Sequence, residues 1–256
     1  MSNPIKPNFK SEWFAVALII LAVIAGLYFY PLFPARVPTH WNIEGQANGY
    51  GTPFVAAFLL PIMMAALYLL FLVLPFIDPR RERYGEFAGA YHGFKDLIIF
   101  FLFIIFLLMG LNGLGYAVNV GFWAPILVGL LFIFIGALLA KVKMNWFLGI
   151  RTPWTLSSET VWTKTHRLSS RVLMLAGVLL GLTAFFNLAG KIVFFVLALA
   201  LIVLGLPLYS YVLYAREKKG KGVKDGGGQG GGGKTGNDVA AIARPEAIEG
   251  KDEKRD

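Results

Sequence analysis

Six stretches of this chain contain no Asp, Glu, Lys, Arg or His: Trp13–Phe33, Phe54–Ile77, Leu97–Val118, Phe122–Ala140, Val172–Leu188 and Ile192–Tyr214. A hydrocarbon core of roughly 30 Å calls for about 20 consecutive apolar residues per spanning helix. One such run can be a buried helix of a soluble domain. Six cannot, because only 15% of the 256 residues are charged and too little polar sequence remains to cover them. The pattern predicts an all-α membrane protein, an up-down bundle of six transmembrane helices in the inner (cytoplasmic) membrane.

Charge placement sets the orientation. Short loops rich in Lys and Arg stay in the cytoplasm. Arg80, Arg81, Arg83 and Lys95 fall between the second and third runs, and Lys141, Lys143, Arg151, Lys164, Arg167 and Arg171 between the fourth and fifth. The alternate connections carry only Arg36, nothing, and Lys191. Both ends are therefore expected inside. The net charge of +9 is read as topology rather than as a nucleic-acid surface, so the bilayer, not nucleic acid, is the partner that the charge implies. Without an evident small-residue cleavage site the first run is expected to be a retained helix. Cysteine is absent, which excludes disulfides and thiolate chemistry.

Three parts are expected along the chain. Residues 1–77 hold the first helix pair and its outer loop, residues 78–214 hold four helices with a polar segment at 145–171, and residues 215–256 form a tail. Pro61, Pro75 and Pro207 are expected to kink or end their helices. Gly110, Gly113 and Gly115 give the third run a small-residue face. In the tail, Arg216, Lys218, Lys219, Lys221 and Lys224 flank the last run. Gly226–Gly228 and Gly230–Gly233 read as a flexible linker, and the rest to Asp256 as disordered.

Two loops are richer than a connector needs. The outer one, Pro34–Pro53, carries Pro38, His40, Trp41, Asn42, Glu44 and Gly45, a donor-rich, aromatic surface at the membrane edge and a candidate ligand loop. The competing reading has His40 and Asn42 bonding the loop's own backbone and Trp41 anchoring at the headgroups. His40 and Glu44 are too few for a metal site, and no metal or cofactor is expected. The inner loop, Asn145 to Arg167, packs Trp146, Trp154 and Trp162 around Arg151 and His166. Gly149 permits a bend, Pro153 blocks helix continuation, and Ser157 or Ser158 can cap a helix that opens on Glu159. Val161, Leu168 and Val172 fall on one side of that helix, Lys164, Arg167 and Arg171 on a second, and Trp162 and His166 on a third. A short helix lying on the membrane surface before turning in is expected.

The segment Asn145…Gly149-Ile-Arg151-Thr152-Pro153-Trp154-Thr155-Leu156-Ser…Val161-Trp162…Thr165-His166-Arg167 resembles the signature of the SdpI family, bacterial membrane proteins named for immunity to a secreted toxic peptide. The stretch Val37-Pro-Thr-His40-Trp-Asn42…Gly45 resembles the outer domain that often precedes it. The family often has an acidic residue and a later Lys in that loop where this chain has Asn48 and Thr52. The resemblance implies a receptor-like protein that protects its cell from a membrane-active peptide outside and signals to a cytoplasmic regulator inside.

Two other classes compete. A transporter or exporter usually keeps ionisable residues inside its spans, and the six runs contain none. An enzyme needs a nucleophile–base or paired-carboxylate arrangement. Glu159 with His166 and Glu86 with His92 are the only candidate pairs, so a non-enzymatic role is expected.

Overall fold

The computed structural model describes residues 5–226. Among them, six helical segments are long and apolar enough to cross a membrane: Phe9–Leu32, Pro53–Ile77, Arg81–Gly113, Val120–Leu139, Glu159–Phe185 and Leu188–Gly220. The chain is a multi-pass membrane protein, as the six charge-free runs predict. Helix α1 spans Phe9–Phe29, strands β1 and β2 span Val37–Trp41 and Ala47–Gly51, and α2 and α3 span Pro53–Ile77 and Ala88–Gly113. Then follow α4 (Val120–Leu139), the short α5 (Pro153–Ser157), α6 (Glu159–Leu182), α7 (Leu188–Ala200) and α8 (Leu206–Gly226). The residues up to Glu217 form one compact unit. Those from Lys218 form a second, whose described part is the end of α8. The last run continues as helix past Tyr214, so Arg216, Lys218 and Lys219 sit on a helix and are exposed. The glycine linker beyond Gly226 and the disordered stretch to Asp256 lie outside the described residues.

Helix ends follow local chemistry. The Asn8 side chain accepts from Ser11 N–H at 3.1 Å while the Ser11 hydroxyl accepts from Asn8 N–H, a reciprocal cap that starts α1 four residues before the apolar run. Helix α3 begins at Ala88, nine residues ahead of Leu97, and draws Lys95 and Asp96 into the span. It stops at Gly113, not Val118, because Gly115 adopts φ 89° and Tyr116 N–H reaches back to the Leu111 carbonyl, the Schellman ending. Pro61 and Pro75 lie inside an unbroken α2. Pro207 has a different effect. It donates no N–H, and the turn before it, Leu201–Gly205, widens to a π-helix between α7 and α8.

The surface helix expected before the fifth span is absent. Helix α6 is continuous from Glu159 to Leu182, about 36 Å at 1.5 Å per residue. Its buried face runs through Val161, Trp162, Thr165, His166 and Ser169, so Val161 is buried together with Trp162 and His166, while Leu168 is only half-buried. Small residues explain the choice. Gly177 and Ser170 lie against Gly129 and Gly136 of α4, and a Cβ on Gly129 would stand 2.5 Å from the Gly177 carbonyl. Van der Waals contact at small residues, not apolar exclusion, drives helix pairing in lipid. Gly110 and Gly113 do the same for α3, the first against the Phe29 ring and the second against Val37 and Phe33.

The outer loop is not irregular. It folds as an antiparallel hairpin with Val37 opposite Gly51 and His40 opposite Gly49. Gly49 has no room for a side chain, since a Cβ there would lie 2.8 Å from the Cβ of His40. Alternation in Val37-Pro-Thr-His-Trp41 and the Asn42–Gln46 turn are the signals that could have revealed it.

Candidate functional site

At the basic end of the bundle, the residues 145–167 hold one another. Asn145 is fully buried and makes four bonds. Its amide donates to the Lys143 and Leu148 carbonyls, and its oxygen accepts from Phe147 and Leu148 N–H at 2.8 and 2.6 Å. The chain then turns at Gly149, φ 111°, where a Cβ would collide with His166 Nε2. His166 is buried and stacked on Trp162, with ring centroids 4.0 Å apart. Its Nδ1 donates to the Trp162 carbonyl at 2.9 Å, and Nε2 accepts from Ile150 N–H at 3.1 Å. This pair of bonds requires the neutral ring with its proton on Nδ1. Trp162 Nε1 donates to the Val142 carbonyl at 3.0 Å.

Thr152 caps α5 in a reciprocal box with the buried Thr155, whose hydroxyl also donates to the Ile150 carbonyl at 2.8 Å. Pro153 takes the first helical position, where its fixed φ suits a helix start. It opens a helix where the sequence predicts that it blocks one. Ser158 caps α6 over Glu159, as expected. Trp154 meets the Tyr211 ring edge-on at 5.2 Å, and the Leu156 carbonyl accepts from Arg80 at 3.0 Å. Arg151 is exposed and donates to the Trp146 carbonyl at 2.7 Å. Thr165 is buried with no partner for its hydroxyl, and Arg167 is exposed. Among residues 145–167, the cations Arg151, Lys164 and Arg167 are exposed to another molecule.

Sequence reasoning missed the residues that clamp this turn. Asp78 is 2% exposed and accepts from Arg80 N–H, Tyr84 O–H and Trp146 N–H at 2.7, 2.8 and 2.9 Å. Arg83 pairs with Glu86 and with Glu159 at the start of α6. Ser158 donates to Glu217 at 2.6 Å. By charge alone, the Asp78–Arg83 loop is a topology marker. Asp78, an acidic residue directly at the end of an apolar run and ahead of Arg80 and Arg81, was the available signal. The exclusion of ionisable residues from the spans also needs correction. Glu12 of α1 pairs with the fully buried Lys95 of α3 at 2.5 Å, with Asp96 at 3.7 Å and the Tyr68 ring at 5.6 Å from the same ammonium.

At the other end the hairpin roofs a cavity of about 820 Å³. His40, Trp41 and Asn42 look into it from the roof, and apolar residues of α2, α3, α4, α6 and α7 form the walls. The hairpin is tied across the bundle. Gly45, φ 83°, lies on Gly121 at the start of α4, and Lys191 of α7 donates to the Ile43 carbonyl at 3.1 Å. Asn42 does bond its own loop, accepting from Glu44 and Gln46 N–H at 3.0 and 2.9 Å. His40 instead meets the Asn48 side chain at 2.6 Å. Trp41 packs on the core between α1, α2 and α3. Pro38 is half-buried in β1, and Glu44 is exposed at the turn. No group of three or more His, Cys, Asp or Glu among the described residues is placed to hold a metal.

Each of these two sites falls in a segment that known proteins share. Residues 141–210 match the SdpI/YfhL protein family, and residues 17–65 match a domain of unknown function, DUF1648. The chain thus carries an SdpI/YfhL family segment and a DUF1648 segment. It is also 26% identical over 210 residues to the immunity protein SdpI of Bacillus subtilis (strain 168), an alignment covering 82% of this chain and 97% of that protein. No solved structure matches the chain. The DUF1648 segment contains the hairpin and the outer parts of α1 and α2. The SdpI/YfhL segment contains the inner turn, α6 and α7, so Lys191 brings the family segment into the wall of the cavity.

Proposed function

We propose that the protein is an immunity receptor, protecting its cell by receiving a secreted membrane-active peptide at the hairpin and the cavity beneath it. The hairpin end is the outer one in this reading, and the inner turn, with Arg151 and Arg167 exposed, is where a cytoplasmic regulator would be met. The observation that carries the reading is the cavity itself. Its volume lies in the range of ligand pockets, about 300–1,000 Å³, and its walls are apolar with a few polar groups concentrated in the roof. An amphipathic peptide is recognised by this combination. The distant relationship to an immunity protein supports the same reading.

The test is survival. A toxin-sensitive bacterium expressing the chain is challenged with secreted membrane-active peptides, beside cells expressing Ala124→Phe, which fills the cavity from α4. Protection by the native chain and its loss in the variant, at equal membrane levels, is the expected result. No protection against any peptide sinks the immunity reading, and full protection by the variant moves reception away from the cavity. The buried Glu12–Lys95 pair supports a second reading, an exporter driven by protons, because ionisable groups within spans often mark proton pathways. Protection that vanishes when the proton gradient is collapsed would favour it.

A further inference from the structure

Lys191 is the sole Lys, Arg, Asp or Glu among the described residues bordering the cavity, and the walls below it are apolar. Its ammonium meets a neutral carbonyl, that of Ile43, and no carboxylate lies within ion-pair distance of it among the described residues. A half-buried cation with a neutral partner leaves most of its charge available. Val120 and Gly121 border the same space at the N-terminus of α4, where the helix dipole adds positive potential. The cavity also meets the lipid-facing surface. Leu59 of α2 and Phe195 of α7 both line it, and both are about half exposed, 51% and 48%. An occupant can therefore enter sideways from the bilayer. Such an occupant has a long apolar body and one anionic group at the level of the hairpin.

We propose that the cavity is a binding site for an anionic phospholipid, with an acyl chain between α2 and α7 and the phosphate on Lys191. The bilayer supplies this ligand at a concentration no secreted peptide approaches, so occupancy follows from mass action even at modest affinity. The proposal goes beyond the peptide reading and does not depend on it. A peptide that uses the cavity has to displace the lipid.

The full chain is placed in phosphatidylcholine nanodiscs that contain a trace of photoactivatable phosphatidylglycerol or phosphatidylcholine, with the same diazirine-bearing chain in each. Labelled peptides are mapped by mass spectrometry. Phosphatidylglycerol should label the segments around Leu59 and Phe195 about fivefold more than phosphatidylcholine, the order expected for one Lys at a membrane surface. Lys191→Gln keeps a donor for the Ile43 carbonyl and should bring the ratio to about one, while Lys191→Arg should preserve it. Ala124→Phe should abolish labelling at both segments with either lipid. Equal labelling by the two lipids in the native chain overturns the proposal, as does a preference that survives Lys191→Gln. Absence of label from both segments also overturns it and leaves a peptide as the occupant. None of these readouts involves survival, so failure here leaves the immunity reading to its own test.

Discussion

At the scale of single residues, the inner turn separates into groups that hold it and groups that it displays. Gly149 holds it twice over, by a left-handed backbone and by leaving room for His166. Gly149→Ala should lower stability by about 1–3 kcal/mol from backbone strain alone, with the steric conflict at Nε2 added. His166→Ala should be comparable, because it leaves the Ile150 N–H without an acceptor and removes the ring stacked on Trp162. Thermal unfolding in detergent checks both, and unchanged midpoints would mean that the turn tolerates disorder. Arg151→Lys is the contrasting case. Its guanidinium is exposed and makes one bond to a main-chain carbonyl, so unfolding should shift little. Protection should nevertheless fall if the planar fork meets a partner's carboxylate or phosphate. Native-level protection by this variant assigns Arg151 to topology. Residue types made the inner motif conspicuous in the sequence, but not the division of labour. Whether a His is displayed or enclosed depends on which helix face is buried, and small residues on α4 settle that.

At the scale of elements, the spans were legible because a run of about 20 residues free of charge is what the hydrocarbon core demands and what a solvated helix avoids. Their ends were less so. Hydropathy stops at the first charge, whereas a helix stops where its terminal groups are satisfied. Lys95 and Glu12 are inside helices because each is paired, and a paired charge tolerates burial that an isolated one does not. The hairpin was missed for a related reason, since five-residue strands give little periodic signal in a segment rich in Gly and Pro. Its attachment can be tested. Gly45 sits at φ 83° with Gly121 so close that a Cβ would lie 2.5 Å from its Cα. Gly45→Val should push the turn off α4 and leave the Lys191 bond to Ile43 as the remaining tie described across the bundle. Hydrogen exchange at the hairpin amides should rise at least tenfold while exchange in α2 and α3 is unchanged. Unaltered hairpin exchange would show that packing of Trp41 and Val37 alone fixes the roof.

At the scale of the whole molecule, two polar ends are joined by an apolar middle, and the inner end carries the charge pair that hydropathy hid. The Lys95 ammonium donates to the Ser11 carbonyl at 2.7 Å and to Glu12 at 2.5 Å, tying the first turn of α1 to the N-terminal third of α3. His92 Nδ1 stands 3.7 Å from the other Glu12 oxygen. Lys95→Met alone leaves the Glu12 carboxylate facing Asp96 with no ammonium between them, and should cost about 3–5 kcal/mol. Glu12→Gln alone leaves Lys95 with Asp96 and the Ser11 carbonyl, a smaller loss. In the double variant neither charge is stranded, and most of the Lys95→Met loss should return, as it does when a buried pair is replaced together. Thermal unfolding of the four proteins in the same detergent gives the coupling directly. Additive losses would mean that the pair is not a tie between α1 and α3. A restored fold with protection still absent would give the pair a role in the protein's action beyond holding two helices together, and would favour the exporter over the receptor.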